Sequence, residues 1–455
     1  MKLTVLGGGG VRLPLLIRGL IHEGQAGTFD RVTLFDIEEE RLSIMGQLAQ
    51  HLLREAQSAI RLDYTTDIRE ALAGADFVFS AIRVGESQGR IVDEKVALRH
   101  GVVGQETTGP GGFAMALRTI PAVLRYADII QEVAPEAWLL NFTNPAGIVT
   151  QALIDHGMTR TIGICDSPEI LKKRIAQYLT VEPERVQMSY MGLNHLGWVT
   201  DVRVDGTSKM AHLLDHYRDL SRRDAEFAAF DPELIQSLGM LPNEYLYYFY
   251  YGADAVRNVE AVGETRGMQV EQLTRELFAG VGAAVRSKDF GQAWDIYTKT
   301  MGTRHQTYMQ REMHASGKGR DDRPAVMSED VGYAGIALQC AQNIVGRPTS
   351  PMIVNTPNRG ALSQLEDHDV VELSAAVGPD GPHPLSIGAM PRAIEGLVLS
   401  VKEYERLTVE AAVAGDRQRA IEALTVHPLV PSYTVAKQLV DEYLTELAPW
   451  LPQFS

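Results

Sequence analysis

What the chain lacks narrows the field first. Only two cysteines, Cys165 and Cys340, occur in 455 residues. That rules out a disulfide framework and suits a reducing cytoplasm. Apolar runs stay well short of the roughly 20 residues that cross a bilayer. The chain goes directly into a strand-like run, Lys2-Leu3-Thr4-Val5-Leu6, without the apolar stretch and cleavage site of a signal peptide. A cytoplasmic protein with no membrane partner is expected. Basic residues are outnumbered, 43 against 58 acidic, for a net charge of -15. Nucleic acid and anionic membranes are therefore not expected partners either. A phosphorylated small molecule remains compatible, because a local arginine pocket can sit on an acidic protein. Repeats and low-complexity tracts are missing as well. What is present is an apolar share of 45%, ample for a large core. The length suggests two or three domains, or one large α/β unit with an elaborated second half.

The first motif is the strand 3–6 followed by Gly7-Gly8-Gly9-Gly10, with a helix expected over 14–23. Glycines between a strand and a helix let backbone N–H groups approach a pyrophosphate at the helix N-terminus. Gly7 and Gly9 fit the first two fingerprint positions, and Arg12 stands where the third glycine would be. The next strand-like run, 31–36, ends in Asp36. This is where a carboxylate accepts hydrogen bonds from both ribose hydroxyls and repels a 2′-phosphate, which favours NAD over NADP. Asp36 also suits a cap for the helix expected over 38–56.

Asp76-Phe77-Val78-Phe79-Ser80-Ala81-Ile82 reads as a central parallel strand. After it, Gly85-Glu86-Ser87-Gln88-Gly89 matches the nucleophile elbow of serine hydrolases. The strand ends before Arg83-Val84, which loosens that turn, and the glycine-rich first strand has no role in such a fold. Residues 101–113 form a glycine-rich loop, with a helix expected over 114–133. A further strand ends in Asn141-Phe142-Thr143-Asn144-Pro145, which breaks regular structure and points polar side chains into a ligand cleft. Strand, loop and helix alternate in the manner of a doubly wound parallel sheet.

The stretch on which the chain turns is 163–198. It opens Gly163-Ile164-Cys165-Asp166-Ser167-Pro168 and closes Gly192-Leu193-Asn194-His195. Ser167 suits an N-cap with Pro168 at the first helical position. Cys165 and Asp166 then lie at the carboxyl end of a strand, where open α/β sheets keep their ligands. A thiolate and an imidazole together hold a divalent ion while leaving positions open for substrate. Beyond His195 a hairpin piece turns at Asp205-Gly206, and a mostly helical region carries the run Tyr245, Tyr247, Tyr248, Tyr250, Tyr251. These tyrosines suit packing or an interface. One would serve as a base if a metal and a cationic cofactor lowered its pKa. Arg266 is a candidate anion ligand. Strands return over 351–377.

Together these pieces resemble the family 4 glycoside hydrolases, the NAD- and metal-dependent glycosidases that depart from the two-carboxylate rule. The resemblance covers nearly the whole chain. Gln105-Glu106-Thr107-Thr108-Gly109 is most like the 6-phospho-β-glucosidase branch. It implies a Rossmann-type parallel sheet, lactate/malate dehydrogenase-like, over residues 1–165, and a C-terminal α+β domain over 166–455 for metal, substrate and oligomerisation. NAD would be bound by Gly7, Gly8, Gly9, Asp36, Ser80 and Arg83. Cys165 and His195 would hold Mn2+ or another divalent metal. Hydride leaves sugar C3, a tyrosinate removes the C2 proton, the aglycone is eliminated, water adds and hydride returns. Tyr245 is the expected base, with Tyr247 and Tyr248 as alternatives in the same run. Asp166 protonates the leaving group in α-acting relatives and here is a general acid or an orienter of the metal shell. Arg90, Asn144 and Arg266 would bind a phosphorylated disaccharide or aryl glucoside 6-phosphate. A homodimer or homotetramer is expected. The competing readings are a 6-phospho-α-glucosidase, an NAD-dependent 2-hydroxy-acid dehydrogenase, a sugar-phosphate sensor without turnover, and a serine hydrolase at Ser87.

Overall fold

The computed structural model describes residues 1–23, 27–313, 332–347 and 351–454. Nine strands form one sheet in the order β13-β12-β11-β6-β5-β4-β1-β2-β3. The six that come first in the chain are β1 (Lys2–Leu6), β2 (Arg31–Phe35), β3 (Arg61–Thr65), β4 (Phe77–Ser80), β5 (Trp138–Asn141) and β6 (Thr161–Gly163). All six are parallel. Every residue of β1, β4 and β5 is buried, as expected where helices cover both faces of a parallel sheet. The dehydrogenase-like sheet inferred from the sequence is therefore present.

The strands after residue 350 do not build a sheet of their own. β11 (Met352–Pro357), β12 (Val370–Gly378) and β13 (Gly381–Pro384) continue the same sheet beyond β6 in antiparallel fashion. The division expected at residue 165 is thus no break in the sheet. The second sheet is small. It pairs β7 (Val186–Leu193) with β8 (Leu196–Val204), and adds β9 (Thr207–Ser208) and β10 (Leu241–Pro242) to β8. The turn at Asp205-Gly206 joins β8 to β9 as read from the sequence. The β7–β8 hairpin, whose two-residue turn is Asn194-His195, carries more of the contact.

Two local corrections bear on the site. The helix expected over 114–133 begins earlier, at Gly109–Val133, so the last five residues of the glycine-rich block belong to it. A Cβ on Gly111 would lie 2.1 Å from the Gln105 carbonyl oxygen, and only glycine lets loop and helix pack so closely. Asp166, not Ser167, takes the N-cap position of helix Ser167–Leu179, and it makes no side-chain cap bond. The Ser167 hydroxyl is drawn instead to the Glu244 carboxylate. No helix among the described residues is long and apolar enough to cross a membrane.

Candidate active site

The glycine turn adopts the conformation a dinucleotide needs. Gly7 has φ 92°, and a Cβ there would meet the Ala81 carbonyl oxygen at 2.5 Å. Gly7 and Gly8 both donate to the Phe35 carbonyl, at 3.0 and 2.9 Å, which locks the turn to the end of β2. Asp36 sits beside it. One of its carboxylate oxygens accepts the Gly9 N–H at 2.8 Å and the other the Glu38 N–H at 3.1 Å. It therefore braces the turn as well as standing where a ribose would lie. Ser80 is buried and shares its hydroxyl proton with Thr143 at 2.8 Å. Arg83 is ion-paired to Glu106 at 2.6 Å. Ser87 lies in the first turn of helix Glu86–Arg99, with no histidine bonded to it among the described residues.

At the carboxyl end of the sheet the two ends of 163–198 come together. Cys165 follows β6, and His195 occupies the hairpin turn with φ 63°, a left-handed conformation in which histidine is enriched several-fold. Cys165 Sγ lies 3.6 Å from His195 Nε2. Metal–sulfur and metal–nitrogen bonds of roughly 2.3 and 2.1 Å at about 109° span about 3.6 Å, so one ion fits between them. Burial brings His195 down to about 3, which keeps the imidazole neutral and able to ligate. Burial, with Glu372 and Asp166 nearby, pushes the Cys165 thiol well up. A divalent cation reverses that balance, because coordination deprotonates a thiol outright. No group of three or more protein ligands converges here among the described residues. The pair thus leaves room for substrate oxygens, and the donor set fits an open catalytic metal site rather than a closed structural one.

The tyrosine run divides sharply. Tyr245 stacks on the His195 ring, with centroids 3.6 Å apart and planes within 10°. Tyr247 turns its hydroxyl to the Glu312 carbonyl at 3.2 Å. Tyr248 is buried among Glu312, Tyr245, Glu94 and Arg90. Of these three, only Tyr245 reaches the Cys165–His195 pair. Burial, then Glu244, Cys165 and Asp166, push its phenol well up, opposed by a hydrogen bond with Tyr308. The positive charge that would favour a phenolate is what an ion between Cys165 and His195 would bring to the face of this ring.

Asp166 is held from an unexpected direction. Arg12, where a third glycine would stand, reaches across the Phe142 ring at 5.3 Å and places Nη1 3.5 Å from Asp166 Oδ2. The glycine turn after β1 and the chain leaving β6 are thereby joined by an ion pair. Asn144 stands half-buried before a cis bond to Pro145. Its Oδ1 accepts the Ala146 N–H at 3.3 Å.

The arginines collect on the adjoining wall. Arg90 pairs with Glu94 at 2.7 Å and Glu106 at 2.9 Å. Burial opposes the charge on Glu106, but Arg83, Arg90 and Arg304 outweigh it and bring that carboxyl to about 2. Arg266 is not an open fork. Its Nη1 donates to Gln269 Oε1 and to both the carbonyl and hydroxyl of Thr307, and Nη2 donates to the Arg304 carbonyl. It caps the end of helix Phe290–Gln306 and so places Arg304. Burial and the neighbouring charges of Arg12, Arg90 and Arg266 bring Arg304 down to about 9. This excess of positive charge suits a dianion.

Sequence reasoning assigned no role to Glu106, Arg304, Glu244 or Glu372. The last accepts hydrogen bonds from Asn194 at 2.9 Å, Asn355 at 3.1 Å and Tyr190 at 3.2 Å. Its carboxyl, raised by burial, stands at about 7. Glu106 lies within the Gln105–Gly109 motif, but no local pattern marks Arg304, Glu244 or Glu372. The only available signal was that Glu372 and Asn355 fall on strands.

Comparison with known proteins shows the family. Residues 2–181 match the Family 4 glycosyl hydrolase domain, and residues 190–430 match the Family 4 glycosyl hydrolase C-terminal domain. The chain is 33% identical to a probable 6-phospho-beta-glucosidase of Bacillus subtilis, over 100% of this chain and 98% of that protein. It is 30% identical to a maltose-6'-phosphate glucosidase of Fusobacterium mortiferum, over 97% of each. Among solved structures, the 6-phospho-beta glucosidase of Thermotoga maritima with manganese, NAD+ and glucose-6-phosphate superposes with a TM-score of 0.81, at 27% identity and 99% coverage of both chains. A glycine turn, a paired thiol and imidazole and a stacked tyrosine, all on a scaffold matched from end to end, place this chain in the family 4 glycosyl hydrolases.

Proposed function

We propose that this enzyme is a 6-phospho-β-glucosidase. It hydrolyses phosphorylated β-glucosides such as cellobiose 6-phosphate in the cytoplasm, as a homodimer or homotetramer, with NAD and Mn2+. The observation that carries the reading is Cys165 Sγ facing His195 Nε2 at 3.6 Å beneath the ring of Tyr245. When bound, NAD supplies a reversible hydride acceptor for sugar C3 and the metal a Lewis acid for the oxygen on that carbon.

The remaining work falls to the chain. Cys165 and His195 hold the ion and leave its other positions to sugar oxygens. Tyr245 takes the proton from C2 and returns one there when water has added. Asp36 receives the ribose hydroxyls, so Asp36→Ala is expected to weaken NAD about 10- to 100-fold, the loss of a charge-assisted hydrogen bond. Calorimetric titration with NAD checks this, and unchanged affinity would remove Asp36 from the cofactor site. Arg90, Arg304 and Asn144 line the side on which a 6-phosphate would lie, with Arg266 fixing Arg304.

Support for the β-anomer comes from the 33% identical B. subtilis relative; Asp166, ion-paired with Arg12 at 3.5 Å, then orients the metal shell. The relatives that act on α-linked substrates, about 30% identical, favour the other anomer, with Asp166 as the acid. The deciding assay offers nitrophenyl β- and α-glucoside 6-phosphates with and without NAD and Mn2+. The expected result is nitrophenol release from the β-anomer only when both are added, with no net NADH. Preference for the α-anomer would overturn the β assignment, and steady NADH accumulation would overturn the glycosidase.

A further inference from the structure

His195 ligates through Nε2 only if its proton sits on Nδ1, and that atom is buried without a hydrogen-bond partner among the described residues. Beside His195 lies a small, partly open pocket of about 20 Å³, room for one water, which needs roughly 10–15 Å³ and two to four polar partners. Its lining includes His195, Thr108, Glu405 and His427. All four are at least nine-tenths buried. The Thr108 hydroxyl likewise has no partner.

Glu405, on helix Arg392–Ala414, gives Oε2 to Lys402 at 2.5 Å. Its Oε1 faces the Gly147–Asn194 wall, where a Cβ on Gly147 would stand 3.5 Å from it, and it takes no hydrogen bond from the described residues. His427 accepts the Leu429 N–H on Nδ1 at 3.1 Å, which assigns its proton to Nε2. The side chains around the pocket thus carry between them two imidazole N–H donors, a carboxylate acceptor and a hydroxyl, the groups that one four-coordinate water can satisfy.

We propose that this cavity holds one ordered water linking His195 Nδ1–H to Glu405 Oε1, and that Glu405, Thr108 and His427 are positioning residues for the metal-ligating imidazole. A carboxylate that reaches a ligating histidine fixes its tautomer and strengthens it as a ligand. Glu405 does so through water, from a helix more than 200 residues downstream of His195. The inference rests on the reading of His195 as a metal ligand.

The test is calorimetric titration of the full chain with Mn2+, with NAD binding measured alongside. Glu405→Leu is expected to weaken Mn2+ about 10- to 100-fold and leave NAD affinity unchanged. Glu405→Gln, which keeps an acceptor at Oε1, is expected to restore most of the affinity. The relay is overturned if Glu405→Leu binds Mn2+ normally or if it loses NAD affinity in equal measure. Should Glu405→Leu not fold, Thr108→Val, nearly the same shape, is expected to weaken Mn2+ about threefold, and unchanged affinity overturns the relay. His195→Ala with wild-type Mn2+ affinity would overturn the metal assignment itself, and the relay with it.

Discussion

Cys165→Ser is expected to lower kcat/KM by about 10³-fold and to weaken Mn2+ binding, while leaving NAD binding intact. The hydroxyl of serine stays protonated where a thiol gives up its proton to a metal, so one of only two protein ligands is lost. Lewis-acid stabilisation is worth several kcal/mol, and about 4 kcal/mol corresponds to 10³-fold in rate. The remaining ligand, His195, is held by the hairpin turn and does not depend on Cys165 for its position. The variant should therefore fold and keep its NAD site. Steady-state assay across a Mn2+ series, with NAD titration as the control, measures both effects. Turnover at the wild-type rate would remove Cys165 from the metal site. Loss of NAD affinity as well would mean that the substitution had disturbed the sheet end rather than the ligand.

Tyr245→Phe should abolish exchange of the C2 proton with solvent and reduce turnover by about 10²- to 10⁴-fold, the usual contribution of general acid–base catalysis. The ring remains, so stacking on His195 and metal affinity should persist. That separation makes the experiment informative: exchange in deuterated buffer, followed by NMR of the sugar, reports the base, and Mn2+ titration reports the site. Tyr247→Phe serves as the comparison. Its hydroxyl is committed to the Glu312 carbonyl, and its loss should leave exchange running. Continued exchange in Tyr245→Phe would move the base elsewhere.

The parts of this site that were legible in the sequence are those built by neighbouring residues. Gly7 needs positive φ because of what directly follows β1. Asp36 ends β2, Cys165 ends the run out of β6, and His195 belongs to its own two-residue turn. In each case the motif and the backbone that presents it share one short stretch. Arg266 shows where that reasoning stops. An arginine after Glu264-Thr265 looks like an anion ligand, yet its donors go to a helix end some 40 residues later. Arg304, whose carbonyl it holds, carries no motif. Ser167 likewise has the composition of an N-cap, but Glu244, far along the chain, competes successfully for its hydroxyl.

The sequence by itself determined the parallel sheet, the nucleotide turn, the Cys–His pair and the family, because alternating strands, glycines and helices follow from local backbone preference and periodic burial. Tertiary structure alone decided which tyrosine of the run meets the Cys165–His195 pair and that Arg266 spends its donors on Gln269, Thr307 and the Arg304 carbonyl. It also decided that strands 352–384 complete the first sheet, and that Glu372 and Glu405 stand behind the hairpin turn at 194–195. The physical reason is common to all of these. A buried polar side chain takes whichever partner packing brings within about 3 Å, and the packing that brings elements hundreds of residues apart into contact leaves no trace in the spacing of either.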